Sequence, residues 1–342
     1  MQPPRSRSEI TSKKPSHQIV ASARAPGKII LAGEQFVVLG APAVAMAINF
    51  YSKARVQQNK TKSIGINLDV PLKFIAGSSP LPSALDSEEF LRPLRIAAEA
   101  TLARIGRSGE GIDVSVHCDI PIGAGLGSSA STTVSIISAV ATSQRVELGR
   151  KDIFKLAFIP ERFLHGKPSG VDQATCIYGG TIQFTRPSSI KTVPIKTEPI
   201  LLLCDTNIHH ETKTLVGSVV KKSQQDKDRF RAYLNQVREI SRGVLNALKA
   251  GDPDDLGVLM SQNHELLQKI GVSHPKLDRL VNVARRSGAL GAKLTGAGGG
   301  GCLIAVCSST RSRDRISKVL RREGGTPYRI STNVHGVETM PN

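Results

Sequence analysis

A glycine-rich segment at residues 121–130, PIGAGLGSSA, has the composition of a loop that binds phosphate. Gly123, Gly125 and Gly127 have no Cβ atom, so a ligand could approach their backbone closely. The residues before this segment alternate like a strand, and those after it are apolar at helical spacing. A helix that begins here directs free N–H groups and the positive end of its dipole toward an anion.

Two serines, Ser128 and Ser129, come directly after the last glycine. Their hydroxyl groups could cap the helix or bind Mg²⁺ beside a phosphate. A plain turn before a helix would use the same glycines, so the segment alone leaves both interpretations open. The GxxxxGK[ST] pattern and the kinase-type HRD and DFG sets do not occur in the chain, which disfavours the most common nucleotide-binding folds.

Two carboxylates flank a predicted turn further along the chain. Glu161 stands near the end of a predicted helix at residues 151–163, and Asp172 follows the turn that Pro168 and Gly170 enforce. Two acids held across a rigid turn suit a metal ligand and a general base. The alternatives are a solvated helix face for Glu161 and a helix N-cap for Asp172.

A lysine with an unusual position is found in the segment APGKIILAGE, residues 25–34. Lys28 follows Pro-Gly and precedes an apolar run, which predicts that its ammonium group stands at the entrance of a strand instead of on a solvated face. Such a lysine is a candidate functional group. An ordinary edge-strand lysine is the alternative.

Composition narrows the range of functions. The chain has 342 residues, a formal net charge of +18 and 39% hydrophobic residues, which is enough apolar sequence for buried cores. The basic residues are dispersed and aromatic residues make up only 4%, so we expect no nucleic-acid partner. No apolar run reaches the roughly 18 residues of a membrane span. The five cysteines form no CxxC pair, so we expect a cytoplasmic protein with reduced thiols and no membrane partner.

The order of the predicted elements favours an α+β fold, with a largely antiparallel sheet that carries helices. The strands expected in this sheet are residues 19–25, 44–48, 52–56, 63–68 and 111–118. From residue 200 the pattern changes to a strand, four helices and a strand pair around residues 296–301. Five of those six residues are glycine, more than a tight turn needs, which predicts close approach of a ligand to this backbone.

Three motifs stand in order along the chain: APGKIILAGE at 25–34, PIGAGLGSSA at 121–130 and KLTGAGGGGC at 293–302. Together they resemble the three signatures of the GHMP kinase superfamily, named for galactokinase, homoserine kinase, mevalonate kinase and phosphomevalonate kinase. The segment HGKPSGVDQA at 165–174, with an acid eleven positions before its aspartate, is similar to the mevalonate kinase branch. The resemblance covers about residues 19–308.

The resemblance implies a two-lobed fold with an active site in the cleft between the lobes. The N-terminal lobe would have a ribosomal-protein-like α+β fold and the C-terminal lobe a ferredoxin-like fold. The implied division is a disordered basic tail at residues 1–18, an N-terminal ATP-binding domain at 19–188 and a C-terminal domain at 189–342. ATP and Mg²⁺ would be the cofactors, and a homodimer is left open.

The implied reaction is ATP-dependent phosphorylation of the C5 hydroxyl of (R)-mevalonate, a step toward isoprenoid precursors. Phosphomevalonate, the 3-hydroxyl of mevalonate and homoserine remain as alternative acceptors. A non-catalytic ligand sensor on the same fold is the alternative outside enzymology.

Site residues follow from the resemblance position by position. Lys28 and Asp172 would be catalytic, with Asp172 as the base or the group that orients the hydroxyl. Ser129 and Glu161 would hold Mg²⁺. The residues around the ATP phosphates would be Gly123, Ala124, Gly125, Leu126, Gly127, Ser128, Ser129 and Thr212. The residues at the substrate would be Lys28, Glu34, Gln35, Asp172 and Gly298.

One position departs from the pattern. The superfamily usually has a histidine after the glutamate of the first motif, and this chain has Gln35. Glutamine donates and accepts hydrogen bonds as a neutral imidazole does, so the same role is feasible. The departure concerns the choice of alcohol and not phosphoryl transfer.

Overall fold

The computed structural model of the chain describes residues 20–71, 87–165, 168–208 and 212–341. The tail predicted at residues 1–18 lies outside these ranges. The strands, in chain order, are β1 (Val20–Ala32), β2 (Ala43–Gln58), β3 (Ile64–Asp69), β4 (Ile112–Cys118), β5 (Thr181–Thr185), β6 (Ser189–Thr192), β7 (Ile200–Asp205), β8 (Gly291–Thr295), β9 (Cys302–Cys307), β10 (Thr326–Arg329) and β11 (Glu338–Pro341).

The described strands form two sheets. The first has seven strands in the order β11-β1-β2-β4-β3, with β5 paired to β2 and β6 paired to β5. The second has four strands in the order β10-β7-β9-β8. β3 runs parallel to β4, and the other strand pairs of both sheets are antiparallel. The predicted α+β class, with a largely antiparallel first sheet, is therefore confirmed.

The two longest strands differ from the sequence prediction. Residues 44–48 and 52–56 belong to the single strand β2, and β1 continues well beyond its predicted end. β1 and β2 remain paired on both sides of Pro26 because the register of the pair shifts between Pro26 and Gly27, which accommodates a residue without a backbone N–H. Lys28 consequently lies inside β1, so its predicted place at a strand entrance was wrong.

Four helices accompany the first sheet: α1 (Glu88–Arg104), α2 (Ser128–Ser143), α3 (Arg150–His165) and α4 (Val171–Tyr178). α2 packs on β1 and β2, while α1 and α3 pack on α2. Every residue of α2 from Ala130 to Ala141 is buried. Several of its small hydroxyl side chains bond to backbone carbonyls, as Ser131 Oγ does to that of Ala25 at 2.7 Å and Ser135 Oγ to that of Thr132 at 2.8 Å. We call this sheet and its helices the N-terminal lobe.

The second sheet and the remaining helices form the C-terminal lobe. Its helices are α5 (Thr212–Gln225), α6 (Lys227–Ala250), α7 (Pro253–Lys269), α8 (Pro275–Arg286) and α9 (Thr310–Arg322). α6 and α7 begin at the side-chain caps Asp226 and Asp252, each of which accepts backbone N–H bonds. α7 and α8 pack on β8, and α9 packs on β7.

The end of the chain returns to the N-terminal lobe. β11 pairs with β1, and Arg24 Nε lies 2.6 Å from the Glu338 carboxylate. β6 also belongs to the first sheet. Both strands come from the range 189–342 expected for the C-terminal domain, so the boundary at residue 188 stays a prediction. None of the helices within the described ranges has the length and apolar character needed to cross a bilayer.

A glycine near the chain end generates a stability prediction. A Cβ added to Gly336 would lie 2.2 Å from the carbonyl oxygen of Ile177, at the end of α4. Gly336→Ala should lower the free energy of unfolding by about 1–3 kcal/mol, the usual cost of forcing extra volume into a packed site. Urea denaturation measures this change.

Gly217→Ala provides the matched control, since a Cβ at that position in α5 would meet nothing within 4 Å. That variant should gain up to about 1 kcal/mol, because alanine favours the helix. A Gly336→Ala protein with the unfolding midpoint of the parent would contradict the predicted close packing.

Candidate active site

A cleft of about 1010 Å³ lies between the two lobes. Its N-terminal wall comes from β1, the glycine-rich segment and the starts of α2 and α4, and its C-terminal wall includes α5 and the first residues of the glycine run at 296–301. The volume matches that of small-molecule sites, which are typically several hundred to about a thousand Å³.

Lys28 brings three separate elements together in this cleft. Its side chain is only 2% exposed, and its ammonium nitrogen lies 3.0 Å from Asp172 Oδ1. The same nitrogen donates to the carbonyl of Gly125 at 2.9 Å. β1, the start of α4 and the glycine-rich loop therefore meet at one buried positive charge.

The placement of Asp172 excludes the helix-cap alternative. Gly170, with a φ of 96°, is the N-cap of α4, and Asp172 is the second residue of the helix. Its side chain is 35% exposed, so the carboxylate reaches both Lys28 and the open cleft. A carboxylate in that position is available to a hydroxyl group bound in the cleft.

The glycine-rich segment forms a loop that leads into α2, as the sequence predicted. Gly123, Gly125 and Gly127 have φ values of 73°, 76° and 78°, a region that side chains rarely adopt. Gly127 is the N-cap of α2, with no side-chain capping bond, and the first turn contains no acidic residue. The helix start thus presents backbone N–H groups and dipole to the cleft. The backbone N–H of Lys28 donates to Leu126 at 2.9 Å, which anchors the loop to β1.

The two serines at the start of α2 have different partners. Ser129 Oγ donates to Glu161 Oε1 at 2.5 Å, and Ser128 Oγ lies 3.2 Å from Cys118 Sγ. Glu161 is 5% exposed, which excludes the solvated-face alternative. Neither serine side chain caps the helix.

The Ser129–Glu161 pair offers oxygen ligands of the type that Mg²⁺ prefers. Both residues line the cleft close to the glycine-rich loop. Within the described ranges, no three His, Cys, Asp or Glu side chains form a metal-binding group. A sparse set of protein ligands is typical of Mg²⁺ sites in which substrate phosphates and water complete the coordination.

Glu34 lines the same cleft but is tied to the C-terminal lobe. It is 1% exposed and forms an ion pair with Lys293 of β8. Asn263 Nδ2 of α7 donates to its other oxygen at 3.0 Å. Sequence reasoning missed Lys293 and Asn263. The available signal for Lys293 was its place within an apolar strand of the third motif. That signal did not show which residue would pair with its charge.

Burial shifts the ionisation of this group of side chains. It raises the pKa of the Glu34 carboxyl, an effect that the nearby Lys293 ammonium opposes. It lowers the pKa of Lys293, against the attraction of Glu34. The neighbouring His264 is also affected, since burial lowers its pKa to about 4. His264 is therefore a neutral imidazole near pH 7.

Gln35 adopts a backbone conformation with a φ of 63°, which is uncommon for a residue with a side chain. Its amide nitrogen donates to the carbonyl of Ala297 at 2.6 Å, across the lobe boundary. Its amide oxygen is buried and has no hydrogen-bond partner among the described residues. Gln35 lines the cleft, and its buried amide oxygen is an acceptor that no described residue uses.

The glycine run at 296–301 packs mainly against protein backbone. A Cβ on Gly296 would lie 2.7 Å from the carbonyl of Gly125, and one on Gly298 would lie 2.1 Å from that of Val272. One on Gly300 would lie 2.3 Å from the carbonyl of Ile208. Packing against the protein thus accounts for glycine at these positions, where we expected ligand approach.

Two predicted site residues stay without a described role. Gly298 is not among the described residues that line the cleft, although Gly296 and Ala297 are. Thr212 is the first residue of α5, and its side chain lies outside the described part of the structure.

Comparison with known proteins identifies the family. The sequence pattern of the GHMP kinases N terminal domain matches residues 92–180, and that of GHMP kinases C terminal matches residues 244–326. A mevalonate kinase of Pyrococcus furiosus is 36% identical over 333 residues, which is 94% of this chain and 98% of that protein. The chain belongs to the mevalonate kinase family of GHMP kinases.

Solved structures of this kinase family agree in fold. L. major mevalonate kinase in complex with R-mevalonate has a TM-score of 0.79 and 29% identity, covering 96% of this chain and 99% of that one. Methanococcus jannaschii mevalonate kinase has a TM-score of 0.75 and 29% identity, covering 93% and 99%. Membership of a kinase family implies the use of ATP.

The glycine-rich loop of this kinase yields a binding prediction. A side chain at Gly125 would require its φ of 76°, and its Cβ would press on the Thr295 carbonyl and Gly296 at 3.3 Å. Gly125→Val should displace the loop and weaken ATP binding about tenfold or more, since a strained backbone of this kind costs about 1–3 kcal/mol. Calorimetric titration with ATP measures the effect.

Gly324→Val is the control, because Gly324 has a φ of 80° and open space around it on the surface. It carries similar backbone strain and should leave ATP affinity unchanged. If a folded Gly125→Val protein bound ATP as tightly as the parent, the loop would have no role in nucleotide binding.

Proposed function

We propose that this kinase transfers the γ-phosphoryl group of ATP to the C5 hydroxyl of (R)-mevalonate. The observation that carries the proposal is the Lys28–Asp172 pair, 3.0 Å apart, in a cleft that also contains a glycine-rich helix start. The names of the most similar relatives support mevalonate as the alcohol.

The cofactor positions follow from the donors in the cleft. The ATP phosphates would lie on the N–H groups of residues 123–129, where positive φ values leave the backbone open. Ser129 and Glu161 would hold Mg²⁺. The divalent ion, when bound, neutralises phosphate charge during transfer.

Asp172 takes the proton in the proposed reaction. Its carboxylate accepts the proton of the C5 hydroxyl while the hydroxyl oxygen forms a bond to the γ-phosphorus. The bond from that phosphorus to the bridging oxygen breaks, and ADP leaves with the electron pair. If Asp172 chiefly orients the hydroxyl, the geometry is the same, and the hydroxyl loses its proton later in the reaction.

Lys28 contributes orientation and charge. Its ammonium group is fixed by Asp172 and by the Gly125 carbonyl, so it holds the base beside the loop proposed for the phosphates. A preorganised positive charge in a buried site stabilises negative charge that develops during transfer.

Replacement of the proposed base tests the mechanism. Asp172→Asn should lower kcat by about 100-fold or more, the typical contribution of a general base, with ATP affinity near that of the parent. Lys28→Ala should lower kcat by a similar factor. Steady-state kinetics and ATP titration measure the two quantities, and Asp314→Asn, which changes a carboxylate on α9, is the control. An Asp172→Asn enzyme that keeps most of its kcat would make Asp172 a structural residue.

The choice of alcohol is tested by offering mevalonate, phosphomevalonate, homoserine and galactose in parallel and following ADP release. We expect a strong preference for mevalonate, with the phosphate on its primary hydroxyl by NMR. Preference for another acceptor, or phosphate on the tertiary hydroxyl, would overturn the proposed substrate. Absence of turnover with every acceptor would favour the ligand-sensor alternative.

Gln35 provides a specific test of the pocket. If it takes the place of a histidine that makes only neutral hydrogen bonds, Gln35→His should change kcat/KM for mevalonate by less than about tenfold, or about 1.4 kcal/mol. A larger change would indicate that the pocket has been rebuilt around glutamine.

Several finer expectations remain proposals. These are a cytoplasmic location, the domain limits at residues 18 and 188, and the substrate contacts of Gly298.

A further inference from the structure

The segment from Ile30 to Gln35 receives several polar contacts from the C-terminal lobe. Thr295 Oγ1 accepts from the backbone N–H of Ile30 at 2.8 Å, and Lys293 Nζ donates to the carbonyl of Ile30 at 3.2 Å. Asn263 donates to Glu34, and Gln35 donates to Ala297. This segment begins in the last residues of β1, the strand that carries Lys28, so the C-terminal lobe holds the strand on which the site is built.

Lys293 has the largest share of these contacts. Its side chain is completely buried, as is that of Glu34. An ammonium group has three N–H donors, and those of Lys293 have three acceptors: the Glu34 carboxylate, the Ile30 carbonyl and the Leu294 carbonyl at 2.5 Å. A buried lysine with every donor satisfied is fixed in position, because any movement would leave a buried charge without a partner.

The charge of Lys293 also matters to the cleft. Glu34, Glu161 and Asp172 all line it, and the proposed alcohol carries a carboxylate of its own. Lys28 pairs with Asp172, and Lys293 pairs with Glu34. Without Lys293, Glu34 would stand beside the alcohol pocket either as an uncompensated negative charge or as a neutral acid that no longer has its ionic partner.

We propose that Lys293 is a positioning residue for the alcohol substrate. Through its bonds to Glu34 and to the Ile30 carbonyl, it fixes the pocket segment 30–35 against the C-terminal lobe and neutralises the carboxylate at the pocket wall. The inference rests on the proposed function, since it assigns the substrate whose binding Lys293 supports. Within the described ranges, the hydrogen bonds of Lys293 go to Glu34, Ile30 and Leu294 and not to the start of α2, the proposed nucleotide end of the cleft.

The test compares Lys293→Met with Glu34→Gln and with the double variant Lys293→Met/Glu34→Gln, because Glu34 is itself a proposed substrate residue. Mevalonate affinity is measured by calorimetry without nucleotide, KM for mevalonate and for ATP by kinetics, and stability by thermal unfolding. We expect KM and Kd for mevalonate to rise about tenfold or more over the parent in Lys293→Met, and to exceed those of Glu34→Gln alone in the double variant, with KM for ATP within about threefold of the parent. General destabilisation would weaken the binding of ATP as well as that of mevalonate. A change confined to the mevalonate constants therefore indicates a role at the alcohol.

The double variant keeps the test decisive where Lys293→Met fails to fold. It replaces the ion pair by neutral side chains, a change that buried pairs often tolerate without loss of stability. A folded double variant with the mevalonate KM of Glu34→Gln alone would overturn the proposal, as would a Lys293→Met protein with lower stability but unchanged KM for mevalonate.

Lys222→Met is the matched control, because Lys222 lies in the same lobe and donates to the carbonyl of Ile270 without contacting Glu34. Its kinetic constants should equal those of the parent. If the parent enzyme prefers another alcohol, the proposed substrate fails, and the same comparison with that alcohol still decides the role of Lys293.

Discussion

The buried ammonium group of Lys28 is the interaction on which the site depends. A charge that is removed from water needs close partners, and Lys28 has the Asp172 carboxylate and the Gly125 carbonyl. These partners come from α4 and from the glycine-rich loop, so satisfying one charge brings a strand, a helix and a loop to one point. The proposed base and the proposed phosphate site are adjacent for this reason.

The second constraint is the close approach of other atoms to the backbone of the loop. This approach explains why glycines occupy these positions. A Cβ on Gly127 would lie 2.9 Å from Cγ of Lys28, so glycine there gives the lysine room to reach its partners. Gly296 meets the backbone of Gly125 across the lobe boundary. The loop is thus held between Lys28 on one side and the glycine run of the C-terminal lobe on the other, which keeps it rigid without bulky side chains near a ligand.

The lobe boundary carries polar contacts between residues that line the cleft. Glu34 and Gln35 are both bonded to residues of the C-terminal lobe, and Gln35 keeps an acceptor oxygen free of partners among the described residues. Its amide cannot gain a proton at neutral pH as an imidazole can. In the proposed pocket, Gln35 would therefore contribute hydrogen bonds and no charge.

Much of the local structure was already determined by the sequence. Periodicity predicted α2 and the four helices after residue 200 to within a few residues, and the glycine pattern predicted a loop at the start of α2. These features depend on neighbours in the chain, through hydrophobic spacing, helix caps and the backbone freedom of glycine. The three ordered motifs also indicated the kinase superfamily, and the comparisons confirmed it.

Other features were decided only by contacts between residues far apart in the chain. β2 is one strand because β1 pairs along its whole length, and β11 joins the first sheet because β1 has a free edge for it. The sequence did not show that Asp172 pairs with Lys28, or that Lys293 pairs with Glu34. The physical reason is that burial and charge compensation depend on the partner across space, and no local pattern encodes which partner that is.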